Sequence, residues 1–273
     1  MSVMSDTDGG EVPVIVEQLA PQVAAIRLNR PDRLNALSFP MTAALHDALD
    51  IVAADDDCKV VVLTGAGRGF CSGLDLRDFG RPPAPGTHPW MPAGRTGQAF
   101  MSDLTRRLRA TPQIVIAAIN GVAYGGGLAI TLACDLRVAS SEARLCAAFI
   151  KTGLTGTDIG ISYFLPRLIG ASRAFDLMVT GRTVDAAEAE RMGIVSQVYD
   201  PSTFSADVTA LATGIAGYTK YGLRNTKEVM WHNLDAASVE AAIAVENRNQ
   251  DLGNVNPEVR QYMTEYASRI VKK

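Results

Sequence analysis

Two glycine-bearing segments hold the residues best placed to do chemistry. The first is Leu63-Thr64-Gly65-Ala66-Gly67-Arg68-Gly69-Phe70-Cys71-Ser72-Gly73-Leu74-Asp75-Leu76, and the second is Asn120-Gly121-Val122-Ala123-Tyr124-Gly125-Gly126-Gly127-Leu128-Ala129. In both, an apolar strand runs out into glycines and then into an apolar stretch. Glycine lets a ligand approach the main chain closely, and the first amides of a helix carry N–H donors with no partner inside the helix. Two such donors aimed at one point can hold a carbonyl oxygen that becomes negative during reaction.

Other chemistries fit less well. Gly65-x-Gly67-x-Gly69 has its third glycine one place too early for a dinucleotide fingerprint, and no strand-ending acid follows about twenty residues on. Phe70-Cys71-Ser72-Gly73 is not Gly-x-Ser-x-Gly, and no histidine is placed to serve as its base. Cys58, Cys71, Cys134 and Cys146 show no C-x-x-C spacing and read as small apolar residues, with no metal site implied. His46 and His232 fall on helical stretches as structural or exposed residues, whereas His88 lies in a proline-rich loop.

These segments need strands and helices to position them. Val12 to Glu17 and Val23 to Leu28 read as a hairpin turning at Leu19 to Gln22. Ser38 caps a helix starting near Phe39-Pro40, with Met41, Leu45, Ala48, Leu49 and Val52 at helical spacing. Val60 to Thr64 and Ile114 to Ile119 are continuous apolar runs of the kind found in strands covered on both faces, and Leu136 to Ala139 is a third. Prolines and glycines forbid regular structure from Gly80 to Gly97, and a loop of that length is functional or mobile. Helices are expected over 204–217, 222–233, 236–251 and 257–271. The alternation of strands and helices up to about residue 200 predicts an α/β core.

The 273 residues carry a net charge of −3, with 47% hydrophobic and 20% charged residues. That composition allows a real core and disfavours a general nucleic-acid binder. No apolar run approaches the roughly 20 residues that span a bilayer, so no membrane association is expected. The polar, acidic stretch 1–12 lacks a basic-then-apolar leader pattern and is expected to be a disordered tail. Reduced thiols suit a cytoplasmic protein.

Taken together, Asn29 to Leu37 (Asn-Arg-Pro…Asn-Ala-Leu), Thr64 to Leu76 and Asn120 to Gly127 resemble the enoyl-CoA hydratase/isomerase, or crotonase, family. Leu165 to Gly170, Thr180-Gly181-Arg182 and Ala189…Gly193-Ile194-Val195 add to the resemblance, which runs in order from about residue 13 to 200. It implies a crotonase-like spiral of ββα units over 13–200 and a C-terminal helical trimerisation region over 201–273. It also implies an acyl-CoA thioester substrate, with coenzyme A arriving as part of the substrate and no separate cofactor, and a homotrimer or a hexamer of paired trimers. Carried over by position, the oxyanion-hole amides fall on Leu74 and Gly126; these are backbone roles, so the apolar Leu74 side chain is no objection. Arg33, Asn35, Ala36 and Leu37 correspond to the stretch that contacts adenine and phosphates. Arg33 reads either as a phosphate partner or as a solvated loop arginine.

The departures from the family pattern are informative. Hydratases of the family use two glutamates to hold and activate water. Here the first position is Ala129 and the second falls near Phe149, and neither can transfer a proton. Asp158 remains, in a context similar to the dienoyl-CoA isomerase branch; it reads either as a proton-transferring base or as the N-cap of a helix over 159–169. Isomerisation or a related proton transfer is therefore expected in preference to hydration. The alternatives are a non-catalytic acyl-CoA binding protein and a hydratase with atypical acid/base residues. Asp75 and Asp78 are expected to cap a short helix, Asp135 and Arg137 to form an ion pair or hydrogen-bond network, Glu142 to be solvated, and Lys227 to be exposed.

Overall fold

The apolar runs at 60–65 and 114–119 become central strands because both of their faces are covered. The computed structural model describes residues 12–78 and 80–271; the tail expected over 1–12 lies, apart from Val12, outside the described residues. In chain order the elements are β1 (Val14–Ala20), β2 (Val23–Leu28), α1 (Phe39–Ala54), β3 (Val60–Gly65), β4 (Gly69–Cys71), α2 (Gly97–Ala110), β5 (Ile114–Ile119), β6 (Val122–Tyr124), α3 (Gly126–Ala133), β7 (Leu136–Ser140) and β8 (Arg144–Cys146). There follow α4 (Ile161–Ile169), α5 (Ala171–Thr180), β9 (Thr183–Asp185), α6 (Ala186–Met192), β10 (Gln197–Tyr199), α7 (Phe204–Ala216), α8 (Lys220–Asn233), α9 (Val239–Val255) and α10 (Pro257–Val271).

The strands form two sheets, ordered β1-β2-β3-β5-β7-β10 and β4-β6-β8-β9. β1 and β2 make the antiparallel hairpin, and the larger sheet is parallel from β2 onward. In the smaller sheet β4, β6 and β8 are parallel, and β9 closes it antiparallel. Each of β3, β5 and β7 is followed by a short strand of the second sheet and then by a helix. The chain therefore winds as a spiral of ββα turns, and its glycine segments sit where one sheet passes to the other.

Alternation within the apolar runs decides which core each side chain joins. Val61 and Leu63, with Val115, Ala117 and Ile119, pack in the main core alongside residues of α1, α2 and α3. Val60 and Val62, with Ile114, Ile116 and Ala118, face the opposite side and meet Phe204, Val208, Ala212 and Ala216 of α7. The period of two thus feeds two separate cores from one sheet.

Helix boundaries follow their caps. Ser38 Oγ accepts the Met41 amide at 3.2 Å, as expected from sequence. Thr219 starts α8 at Lys220, earlier than expected, by accepting the Gly222 amide at 3.0 Å. Ser238 delays α9 to Val239 by accepting from Ala241 at 3.2 Å. The hairpin turn contracts to Pro21-Gln22 because Gln22 takes a left-handed φ of 63°, letting Leu19 and Ala20 extend β1.

Two expectations about charged residues are corrected. Lys227 is buried: its Nζ lies 2.7 Å from Asp135 Oδ2 and donates to the Gln113 carbonyl at 2.9 Å. Burial pulls the Lys227 ammonium below its ordinary range, and Asp135 opposes that pull. Asp135 also accepts the Trp231 indole N–H at 2.9 Å and the Val115 amide at 2.8 Å, which ties α8 to the start of β5. Arg137 does not pair with Asp135; its guanidinium donates to the carbonyls of Ile194 and Cys134, each at 2.8 Å.

Removing one partner of a buried pair strands the other charge. Asp135→Ala is expected to lower stability by about 3–5 kcal/mol in urea unfolding. Asp176→Ala, which breaks an exposed pair with Arg182, is expected to change it by less than about 1 kcal/mol.

Candidate active site

The segment after β4 runs beside residues 34–37 in a short parallel register. The Ser72 amide donates to Leu34 at 3.0 Å, Leu37 to Gly73 at 2.7 Å, and Asp75 to Leu37 at 2.8 Å. The Leu74 N–H points away from this ladder and meets no acceptor among the described residues. Gly73, with φ of 94°, makes the approach possible: a Cβ there would lie 2.8 Å from the Tyr124 carbonyl, and its nearest contacts include the Gly126 nitrogen at 3.6 Å. Gly126 is the first residue of α3, so its amide has no carbonyl within the helix to bond. A Cβ on Gly127 would sit 2.1 Å from the Cys71 carbonyl, so only glycine lets the start of α3 rest against the end of β4. The amides of Leu74 and Gly126 are thus neighbours and unclaimed.

A buried carboxylate fixes this arrangement. Asp75, next to Leu74, accepts Arg33 Nη2 at 2.6 Å and Arg30 Nη2 at 3.0 Å. It also accepts the amides of Arg77 at 3.2 Å and Asp78 at 3.1 Å, so it closes a loop instead of capping a helix. Burial pulls its carboxyl upward, but Arg33, the Asp78 and Arg77 amides and Arg30 outweigh it and hold the group below the usual carboxylate range. Asn35 completes the clamp from a left-handed backbone with φ of 53°. Its Oδ1 accepts the Arg30 amide at 2.8 Å, and its Nδ2 donates to Ala66 at 2.9 Å and Gly69 at 2.7 Å. Ala36 is buried and its carbonyl accepts Arg30 Nη1 at 3.0 Å. Leu37 is buried with its Cδ1 2.9 Å from where a Gly126 Cβ would stand. Within this stretch the partly exposed Arg33 offers the free edge of a guanidinium.

The side chains close to the glycine turn include apolar ones. Ala129 is buried on α3, and Phe149, in a 3-10 turn at Ala148–Thr152, lies against Gly125. Burial pushes the thiols of Cys71 and Cys134 up to about 12, which leaves neither as a nucleophile near neutral pH.

Asp158 lies in the loop before α4. Its Oδ1 accepts Gln98 Nε2 at 2.6 Å and the Ile159 amide at 2.7 Å. It does not cap α4: the helix begins at Ile161, with Gly160 as its N-cap. Ile159 (φ 49°) and Gly160 (φ 84°) are both left-handed, and they insert a bend between the acid and the helix. A β-branched residue in that region is strained, by about 1–3 kcal/mol. The bend places Ile159 Cδ1 3.2 Å from the position a Gly126 Cβ would take, so the segment carrying Asp158 packs directly on the start of α3.

The proline-rich loop is anchored on α1 and α2. Trp90 donates its indole N–H to Asp50 at 2.9 Å, and Arg107 lies 3.6 Å above its ring while also binding Asp50 at 2.5 Å. His46 stacks on Trp90 from within the core; burial pushes its imidazole down to about 4. His88 sits 3.3 Å from Asp47. Both histidines thus hold the loop in place. The signal missed in the sequence is Trp90, whose pairing with Arg107 crosses from loop to helix.

The chain is similar to known proteins. Residues 19–270 match the family described as enoyl-CoA hydratase/isomerase, a span that takes in the C-terminal helices. The chain is 46% identical over 238 residues to "Probable enoyl-CoA hydratase EchA12" of Mycobacterium tuberculosis (strain ATCC 25618 / H37Rv), covering 87% of this chain and 83% of that protein. A solved structure of a probable enoyl-CoA hydratase/isomerase from Mycobacterium abscessus superposes with a TM-score of 0.86 at 40% identity, covering 96% of this chain and 97% of its own. A monofunctional enoyl CoA isomerase from M. smegmatis gives a TM-score of 0.71 at 39% identity, covering 85% of this chain and 98% of its own.

Because the Asp75 carboxyl is depressed by folding, its stabilisation is fully present above the unfolded value of about 3.9 and is lost as pH falls through the folded one. Asp75→Asn is therefore expected to cost about 2–3 kcal/mol at pH 7. In chemical denaturation the gap from the unmutated protein should narrow below about pH 5 and close at lower pH.

Proposed function

The chain belongs to the enoyl-CoA hydratase/isomerase family, and we propose that within it the protein isomerises an unsaturated acyl-CoA thioester by proton transfer and does not hydrate it. The observation that carries this reading is the pairing of two unclaimed amides with a wall that offers no glutamate at Ala129 or Phe149 and one carboxylate at Asp158.

In this reading the thioester carbonyl oxygen accepts from the amides of Leu74 and Gly126. Asp158 removes a proton from C2 of a 3-enoyl thioester, and the electron pair moves onto the carbonyl oxygen as an enolate held by the two amides. The same carboxyl returns the proton to C4 as the double bond shifts to C2–C3. No water is consumed, so no second acid is needed. Charge develops on the oxygen only during reaction, which makes the amides act on the transition state more than on bound substrate.

Coenzyme A enters as part of the substrate. Residues Arg33 to Leu37 lie beside the proposed hole; Arg33 would meet the phosphates with the nitrogens Asp75 leaves free, while Asn35 serves as scaffold. The exposed apolar side chains of Leu74, Leu76 and Leu154 suit the mouth of an acyl pocket. Exposed apolar residues of the last helices, among them Val239, Ile243, Leu252, Val255 and Met263, support assembly as a homotrimer or a hexamer of paired trimers.

A panel of saturated, 2-enoyl, 3-enoyl and dienoyl-CoA thioesters, scored for binding and product, tests the reading. Isomerised 3-enoyl-CoA, lost at least about 100-fold in Asp158→Asn, is expected; robust hydration of crotonyl-CoA would overturn it. Tight binding without turnover would favour the second reading, a non-catalytic acyl-CoA binder, which the apolar Ala129 and Phe149 positions also suit. Gly126→Ala pushes a methyl against Leu37 and Ile159 and is expected to lower turnover by about 10²–10³.

A further inference from the structure

A base that works on carbon must present one oxygen in a fixed direction, and the Asp158 carboxylate is held in a one-sided way. Both of its hydrogen-bond donors, Gln98 Nε2 at 2.6 Å and the Ile159 amide at 2.7 Å, converge on Oδ1. Oδ2 has no partner among the described residues. One donor is fixed by the strained backbone at Ile159 (φ 49°), and the other is a side chain that enters from a different element.

Gln98 is itself held by what surrounds it. It lies in the first turn of α2, which Thr96 caps by accepting the Ala99 amide at 3.2 Å. The preceding Gly97 is pressed against Phe39 at the start of α1, where a Cβ would meet the ring at 2.8 Å. Phe39 follows Leu37 and Ser38, whose segment pairs with Leu74. The strip that aligns the Leu74 amide and the side chain that grips Asp158 therefore share one packing contact.

The arginines of α2 and α4 are engaged elsewhere. Asp103 of α2 pairs with Arg106 of the same helix and with Arg95 just before it, and on α2 Arg107 pairs with Asp50 and Arg109 with Asp135. On α4, Arg167 pairs with Asp235, and Lys151 of the 3-10 turn lies against Gly181. The amide of Gln98 is the side-chain donor that Asp158 meets.

We infer that Gln98 is a positioning residue for the reaction: by holding Oδ1 it turns Oδ2 of Asp158 toward the substrate carbon, an inference that rests on reading Asp158 as the base. Glutamine suits this task because its amide donates without bringing a charge that would compete for the proton. It is not a catalytic residue, since the proton goes to and from the carboxylate alone.

The test measures kcat and KM for 3-enoyl-CoA isomerisation in Gln98→Met and Gln98→Glu. Gln98→Met keeps the length of the side chain and removes the donor; Gln98→Glu sets a second carboxylate against the first. Because the residue is exposed, thermal unfolding midpoints are expected to stay within about 2 °C of the unmutated protein. Turnover is expected to fall about tenfold in Gln98→Met and further in Gln98→Glu, with KM changed less than about twofold in both. Gln98→Asn, a shorter donor, is expected to recover less than half of the loss. Unaltered kcat in Gln98→Met, or a loss confined to KM, would overturn the inference while Asp158→Asn remained inactive. Full turnover in Asp158→Asn would instead overturn the proposed function and this inference with it.

Discussion

A main-chain amide can hold an anion only if the fold leaves it unclaimed, and folding tends to claim every amide it buries. The clamp around Asp75 resolves that conflict. By binding Arg33, Arg30 and two following amides at once, one buried carboxylate fixes the residue after Leu74, while the Leu37 amide holds the Gly73 carbonyl before it, and the Leu74 N–H is left unused. Asn35 adds the second fixed point, tying the strip at 30–37 to the glycine loop after β3. The rest of the site is arranged against that frame: α3 begins where Gly73 and Gly127 let two backbones touch, and its first amide lies next to the free one. The polar groups are satisfied almost entirely within the clamp, which lets the opposite walls be apolar without leaving a charge stranded.

The wall composition has chemical meaning. Ala129 and Phe149 bring apolar side chains close to the glycine turn, and on the proposed reading that low-polarity surface would strengthen an interaction with a developing negative charge. The same surface gives a water molecule few partners. On the proposed reading, a fold that elsewhere supports hydration would here move protons between carbons.

Much of this was legible in the sequence, for reasons that differ by residue. Val60 to Leu63 and Ile114 to Ile119 announced buried strands because both faces demand apolar side chains. Ser38 announced a helix because a hydroxyl before Phe39-Pro40 has a defined capping task. The three-residue strands β4, β6, β8 and β9 were not legible, since a strand of that length carries no periodicity and exists only through its neighbours. Lys227 looked exposed because nothing local reveals its partner: Asp135 reaches it only after the spiral closes. Asp158 stayed open between base and cap, since the aspartate-to-helix spacing is common, and the left-handed turn at Ile159 that separates it from α4 has no sequence mark beyond Gly160. Gln98 drew no notice, as a glutamine early in a helix is ordinary until the loop before α4 is placed against it.

The turn at Ile159 has a cost that evolution and engineering would see differently. Glycine is the residue that adopts such a backbone most freely, so Ile159→Gly would relieve strain at the junction, although it adds disorder to the unfolded chain. It would also remove the methyl groups that press on the start of α3 and free the peptide that orients Asp158. Selection for heat resistance alone can therefore loosen the joint at this position, whereas, if Asp158 is the base as proposed, selection for turnover would keep it tense. A stabilised variant that proved sluggish here would be behaving as a spring does when it is allowed to unwind.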